Sequence, residues 1–305
     1  ESSDSLCREY ILQKIGSGHY GHVYWVKCRE TGDNYALKCH QNNADDNGVS
    51  ESTVRELSCL SALRGHPNIV EMLDCFLYNG QISSLMPYLP LTLFDVMYRT
   101  WRGLSVLPIP YIARSSLEIA NALSYMHGLN MVHRDLKPEN VLLTADTLTV
   151  KVADMGLSRY AIAKGMSSTV VTEPYRAPEL FVNGCIVPYT CAVDMWSLGV
   201  MIVDAMEAKV AFYDPKIPTD KFIAAALDPE LSESDNYPSR KTVMPNVMRH
   251  KRVSRIVFKL LQMDPKKRLT ARSLLADGQW RKGSRVTPDI ISYVKQCVVN
   301  ARWDK

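Results

Sequence analysis

Residues 133–140 read His-Arg-Asp-Leu-Lys-Pro-Glu-Asn, and a second acidic triplet, Asp154-Met155-Gly156, follows one short strand–turn–strand later. Nothing else in the chain constrains it as much. Asp135 can accept the proton of a substrate hydroxyl and orient its oxygen for attack. Lys137, two residues on, can neutralise a terminal phosphate during its transfer. Asn140 and Asp154 supply hard oxygen ligands that suit Mg2+, with phosphate oxygens completing the octahedron. The chemistry such a set serves is mostly positioning and charge neutralisation. The alternative is a chance polar loop. Four side chains of complementary chemistry, gathered in one octapeptide and the triplet after it, speak against it.

The chain has 305 residues, enough for two domains or one large bilobed unit. Nearly half of them, 46%, are apolar, so a packed core is expected and disorder is not. The net charge of +4 is small against 36 basic and 32 acidic side chains, and no long basic run carries interleaved aromatics. That argues against nucleic acid as a partner. Eight cysteines are scattered without a Cys-x-x-Cys pair, which points to reduced thiols in a cytoplasmic or nuclear setting. The longest apolar stretch, Leu198 to Met206, is broken by Asp204 and is too short to span a bilayer, so no membrane partner is expected. No secretory leader is read at Glu1, as in a trimmed chain.

The front of the chain reads as strands. Tyr10-Ile11-Leu12 and Val23 to Val26 flank a glycine-rich turn, and Tyr35 to Lys38 follows a Thr31-Gly32-Asp33-Asn34 turn. Val54, Leu57, Leu60 and Leu63 repeat at helical spacing. Ile69-Val70 and Gln81–Met86 suggest two more strands, and Pro87 with Pro90 marks a hinge. Beyond it helical periodicity dominates, over 112–127, 194–207, 253–263 and 286–299. Residues 214–250, rich in Pro, Ser and charge, read as an irregular insertion. An α+β, bilobal chain is expected: a β lobe with one helix over 1–86, a hinge at 87–92, and a larger helical lobe over 93–305.

Gly16-Ser17-Gly18-His19-Tyr20-Gly21-His22-Val23 is weak by itself, because the same glycine spacing opens dinucleotide-binding folds. There the loop must run into a helix. Here β-type residues follow Val23, which favours a hairpin whose backbone N–H groups approach phosphates. Lys38 falls on the third strand, where its charge could hold phosphates. Glu56 has two readings: an ion pair with Lys38, favoured because Val54, Leu57 and Leu60 turn one helix face inward beside it, or a capping box with Thr53.

Together these segments resemble the eukaryotic protein kinases, over about residues 8–285, and most closely the cyclin-dependent branch of the CMGC group. The resemblance implies ATP and Mg2+ as cofactors and Ser/Thr as acceptor, since Lys137 matches Ser/Thr kinases. It implies an adenine pocket of Ile15, Val23, Ala36, Val70, Leu142 and Ala153. Met86 is its gatekeeper, and the backbones of Pro87 and Leu89 face the base edge. Gly16, Gly18, Gly21 and Lys38 line the phosphates. Thr172 to Glu179 resembles the end of a CMGC activation segment, with Thr172 among the catalytic residues. In that group Arg176 satisfies a strained carbonyl, here that of Val171, so a Pro after the target residue is preferred. Arg55, Arg134 and Arg159 match the cluster that gathers a phosphate at Ser167; three ordinary surface arginines are the alternative. Tyr20 aligns with an inhibitory tyrosine, or is a loop-tip aromatic. The helix at 50–64 resembles a variant cyclin-binding helix, so a cyclin-like activator is a candidate partner beside protein substrates with Ser/Thr-Pro sites.

Three departures matter. Met155 stands where most of the family has Phe, expected to pack with His133, Leu60 and Met72 and to change how the metal loop is propped. The 41–47 tract and the short 214–250 segment also differ, which leaves room for a mitogen-activated-type or stand-alone kinase. A non-catalytic nucleotide-binding scaffold finds support only in Met155. Asp194 is expected to accept backbone N–H bonds from the catalytic loop, and Glu179 to pair with Arg268, both in structural roles.

Overall fold

The front of the chain makes five antiparallel strands: β1 (Tyr10–Gly18), β2 (Gly21–Cys28), β3 (Asn34–His40), β4 (Asp74–Tyr78) and β5 (Gln81–Pro87). In space they run β1-β2-β3-β5-β4. The computed structural model describes residues 10–18, 21–41, 49–78, 80–98, 107–155, 158–160, 173–181, 190–227 and 238–303. Val26, Leu37, Cys39 and Leu85 form a small core on the sheet. The β1–β2 register slips between Lys14 and Gly16, so a bulge begins the glycine-rich hairpin. Gly21 sits at φ +132, and a Cβ there would lie 2.1 Å from the Cys39 carbonyl oxygen. The third glycine of the loop is therefore required by the close approach of β3, whatever the loop binds.

Helix α1 (Glu51–Ala62) crosses between the sheet and the rest of the chain. Its N-cap is Ser50, whose Oγ accepts the Thr53 N–H at 3.1 Å. The alternative Thr53–Glu56 box is not formed, because the cap lies one turn earlier, and Glu56 points inward as the favoured reading has it. Val54, expected on the inward face, is 53% exposed. Thr53, Glu56, Cys59 and Leu60 are the buried stripe of the helix instead. Ile69-Val70 contributes only an isolated bridge, Ile69 to Val152.

Pro87 closes β5, and β6 (Leu91–Thr92) already pairs with β8 (Val141–Leu143), so the link between the lobes narrows to residues 88–90. Helix α2 (Leu93–Tyr98) follows at once, and then α3 (Ile109–Gly128). The loop of interest lies between β7 (Met131–Val132) and β8, and β9 (Val150–Val152) returns beside β8. Strand β10 (Arg159–Tyr160) pairs with β7.

The helical core centres on α4 (Ala192–Glu207), buried from Val193 to Met206. Around it stand α5 (Thr219–Leu227), α6 (Arg240–Val243), α7 (Pro245–Arg249), α8 (Lys251–Leu260), α9 (Ala271–Leu275), α10 (Gly278–Gly283) and α11 (Pro288–Trp303). Among its described residues the 214–250 segment is not irregular as expected: α5, α6 and α7 fall within it. Phe222, Ile223 and Ala226 bury one face of α5, and tertiary burial supplies what weak periodicity did not signal. Among the described residues, no helix is long and apolar enough to cross a membrane.

Candidate active site

The alternation of strand β3 turns Lys38 toward α1, and the Ser50 cap brings Glu56 round to meet it. Lys38 Nζ donates to the two Glu56 carboxylate oxygens at 2.6 and 2.8 Å. Glu56 is 3% exposed. Burial pushes its carboxyl pKa up, and the charge and hydrogen bonds of Lys38 oppose that shift. On its other side the Lys38 ammonium stands 3.9 Å from Asp154 Oδ1.

The 133–140 loop folds inward because its backbone donors find buried acceptors. Asp194, at the start of α4, takes the His133 N–H at 2.9 Å and the Arg134 N–H at 3.0 Å, and His127 Nε2 lies 2.8 Å away. Burial raises the Asp194 pKa, but His127, His133 and the Arg134 N–H outweigh it and hold the carboxyl below its usual value. These bonds stabilise an unfavourable backbone, since Arg134 sits at φ +74. His133 Nε2 lies 2.9 Å from the Ala153 carbonyl, so that nitrogen carries the proton and Nδ1 accepts the Asp135 N–H at 3.3 Å. His133 therefore orients the loop.

Asp135 and Asn140 end up side by side. Asn140 Nδ2 donates to the Asp135 carbonyl at 2.8 Å and to its Oδ2 at 3.1 Å, and Lys137 Nζ lies 2.9 Å from the same Oδ2. The Asn140 carbonyl takes the Ala153 N–H at 2.9 Å, which draws Asp154 to the loop. Asp154 has φ +63, and its buried Oδ1 has no hydrogen-bond donor. An orphaned carboxylate oxygen facing a cation, with an Asn in the adjoining loop, fits a bound divalent ion. Among the described residues no group of three or more His, Cys, Asp or Glu side chains could hold a metal ion.

The expected adenine wall divides by burial. Val70 is core, Met86, Leu89, Leu142 and Ala153 are half-buried and pack against it, and Ile15 is 46% exposed. Val23 and Ala36 are half-buried on β2 and β3, Gly16 and Gly18 pair with Val23 and Gly21 across the hairpin, and Pro87 pairs with Tyr35. Met155 is fully buried in one core with Leu60 and Met72, and its Sδ accepts from Ser158 Oγ at 3.5 Å. Tyr20, Ser167, Val171 and Thr172 lie outside the described residues. Of the three arginines, Arg134 is buried, Arg55 pairs with Glu51 on its own helix, and Arg159 enters through the backbone of β10, beside Val132. Arg268 donates to Glu179 at 2.8 and 3.0 Å beneath the segment carrying Arg176, whose guanidinium lies over the Phe181 ring.

The sequence reading missed a polar cluster under that segment. Asp204 Oδ2 accepts from Tyr98 and Tyr175 hydroxyls at 2.7 and 3.1 Å, and Oδ1 accepts the Ala211 N–H at 2.9 Å. Ser197 Oγ donates to the Tyr175 carbonyl at 2.9 Å and Thr219 Oγ1 to Glu173 at 3.0 Å, so the short Glu173–Tyr175 turn is anchored from α2, α4 and α5. Burial pushes the Asp204 pKa up to about 7. A carboxyl raised above its unfolded value favours the native state at low pH, and that contribution is lost as pH rises through about 7. The expected result is a fall of roughly 2 kcal/mol in unfolding free energy from about pH 5 to 8, relative to an Asp204→Asn variant. Parallel pH profiles in urea denaturation would contradict it.

With this geometry in view, comparison with known proteins is direct. The chain belongs to the protein kinase family, whose protein kinase domain matches residues 10–280. It is 30% identical over 290 residues to cyclin-dependent kinase 2 of Caenorhabditis elegans, covering 87% of this chain and 76% of that protein. It is also 30% identical over 286 residues to cyclin-dependent kinase 1 of Encephalitozoon cuniculi, covering 87% of this chain and 94% of that one. A chain of the CAK complex of Chaetomium thermophilum bound to ATP-γ-S superposes with a TM-score of 0.77 at 27% identity, over 94% of this chain and 96% of that one. Within the family it is a serine/threonine kinase of the CMGC group, similar to cyclin-dependent kinases.

Proposed function

We propose that the chain transfers phosphate from Mg-ATP to Ser or Thr residues followed by Pro, and that phosphorylation of its activation segment raises that activity. One arrangement carries this: Lys38 bonded to Glu56, with its ammonium 3.9 Å from the orphaned Oδ1 of Asp154. Lys38, held by Glu56, binds the phosphates of the nucleotide. Asn140 and Asp154 hold Mg2+, which supplies charge neutralisation at the phosphate oxygens when bound. Asp135, fixed by Asn140 and Lys137, takes the substrate hydroxyl proton and aims the oxygen. Lys137 balances negative charge at the transferred group.

The activation segment reading joins Ser167 to Arg55, Arg134 and Arg159. Arg55 would exchange its exposed Glu51 partner for the phosphate. Exposed Val49 and Val54, before and on α1, suit a helical, cyclin-like activator whose apolar face covers them. Val171 and Arg176 carry the preference for Pro.

The test is a Ser/Thr-Pro peptide library with Mg-ATP, using the chain phosphorylated at Ser167, alone and with cyclins. The expected result is transfer that falls about tenfold or more when Ala replaces the Pro. No transfer to any Ser/Thr-Pro peptide under any of these conditions would sink the proposal.

A further inference from the structure

His40 lies two residues beyond Lys38 on β3, so the two side chains leave the same face of the strand. It is 1% exposed, yet the catalytic scheme above does not use it. His40 pairs with Gly21 in the β2–β3 register, at the foot of the glycine-rich hairpin. Its Nε2 is 3.1 Å from Ser84 Oγ, a hydroxyl completely buried on β5. Its Nδ1 is buried without a hydrogen-bond partner and stands 3.7 Å from Glu56 Oε2.

The two tautomers are not equivalent here. With the proton on Nε2, the ring donates to Ser84 and aims an Nδ1 lone pair at a buried carboxylate. With the proton on Nδ1, Ser84 donates to Nε2 and the ring presents a donor to Glu56. Only the second leaves no buried repulsion, and a small movement of Glu56 closes the contact to a hydrogen bond. Burial, and after it the charge of Lys38, depresses the His40 pKa to about 4, so the ring is neutral at assay pH.

We infer that His40 is a positioning residue for phosphate transfer: its Nδ1–H holds the Glu56 carboxylate toward Lys38, and Ser84 fixes the ring in that tautomer. Glu56 then has a second partner on β3 that keeps its carboxylate in place while it holds Lys38 to the phosphates. This rests on the proposed role of the Lys38–Glu56 pair in binding nucleotide.

Two measurements test it. In 15N-histidine NMR of the unmodified protein, His40 is expected as the Nδ1–H tautomer; an Nε2–H tautomer overturns the inference. In kinetics, His40→Leu is expected to lower kcat/KM for ATP about tenfold and to leave KM for peptide unchanged. Asn places a donor where Nδ1 was and Gln where Nε2 was, so His40→Asn recovers most of the loss and His40→Gln does not. Equal losses in the Asn and Leu variants overturn the inference. In a Glu56→Gln background His40→Leu has no further effect, because it acts through Glu56. If Lys38→Met kept full activity, the role of the pair itself would fail, whereas the tautomer reports on the His40 contact alone.

Discussion

Asp154→Asn lowers phosphate transfer by about a thousandfold or more while the protein remains folded. The substitution is close to isosteric, and Asn is among the residues that best tolerate the left-handed backbone found here at φ +63. What it removes is charge. Asp154 Oδ1 is buried without a hydrogen-bond donor and faces the Lys38 ammonium at 3.9 Å. An Asn keeps one weaker oxygen ligand, or presents an NH2 to a cation. Binding of divalent ion with nucleotide therefore weakens, and the loss falls on kcat as well as on KM for ATP. Asp135→Asn separates the other half of the chemistry: nucleotide and Mg2+ still bind, and transfer falls about a hundredfold or more. Initial rates with peptide, beside calorimetric titration of ATP with and without Mg2+, distinguish the two. Wild-type turnover by Asp154→Asn would remove the metal assignment.

The parts of this site that could be read from the chain are those where one residue type at one spacing leaves few alternatives. The octapeptide at 133–140 is one such part. Lys38 is another, because the Thr31–Asn34 turn fixes which strand it joins. Where the structure departs, long-range packing made a choice that local pattern left open. Val54 and Leu57 both fit the helical repeat of α1, but the stripe that faces inward runs through Thr53, Glu56 and Leu60 and leaves Val54 in water. The sequence pattern does not announce strand β4. It pairs with β5 alone at the sheet edge, with Leu77 63% exposed, so it lacks the alternation that announces a half-buried strand. Helix α5 is short, follows Pro218, and gains its stability from Phe222 and Ile223 in the core. The buried polar residues were the least legible. His40, Asp204, Tyr98 and Tyr175 look like surface residues in a sequence, because what buries them is packing against partners far along the chain.

Asp194→Asn tests what holds the catalytic loop in shape, and its largest effect is on stability, a loss of about 2–4 kcal/mol. Asp194 is 1% exposed and faces only donors: two backbone N–H groups and the His127 ring nitrogen. An Asn offers one acceptor oxygen, and its NH2 must face at least one of those donors. The Arg134 backbone at φ +74 is then no longer held, and relaxing it shifts the adjacent Asp135. A misplacement on the order of 1 Å costs about a hundredfold in rate, so kcat falls together with stability. Asp204, on the same helix, shows why the two carboxyls differ. Burial opposes ionisation in both. His127, His133 and the Arg134 N–H overcome it at Asp194, whereas one backbone N–H and two phenols do not at Asp204. The Asp194 contribution is therefore present above the ordinary carboxylate pKa and is lost as pH falls through its depressed value, opposite in sign to that of Asp204. Urea denaturation of wild type and Asp194→Asn should give unfolding curves that are far apart at neutral pH and converge in acid. A gap that stays constant as the pH is lowered would mean that the variant fails through its misplaced NH2 group and not through the lost charge.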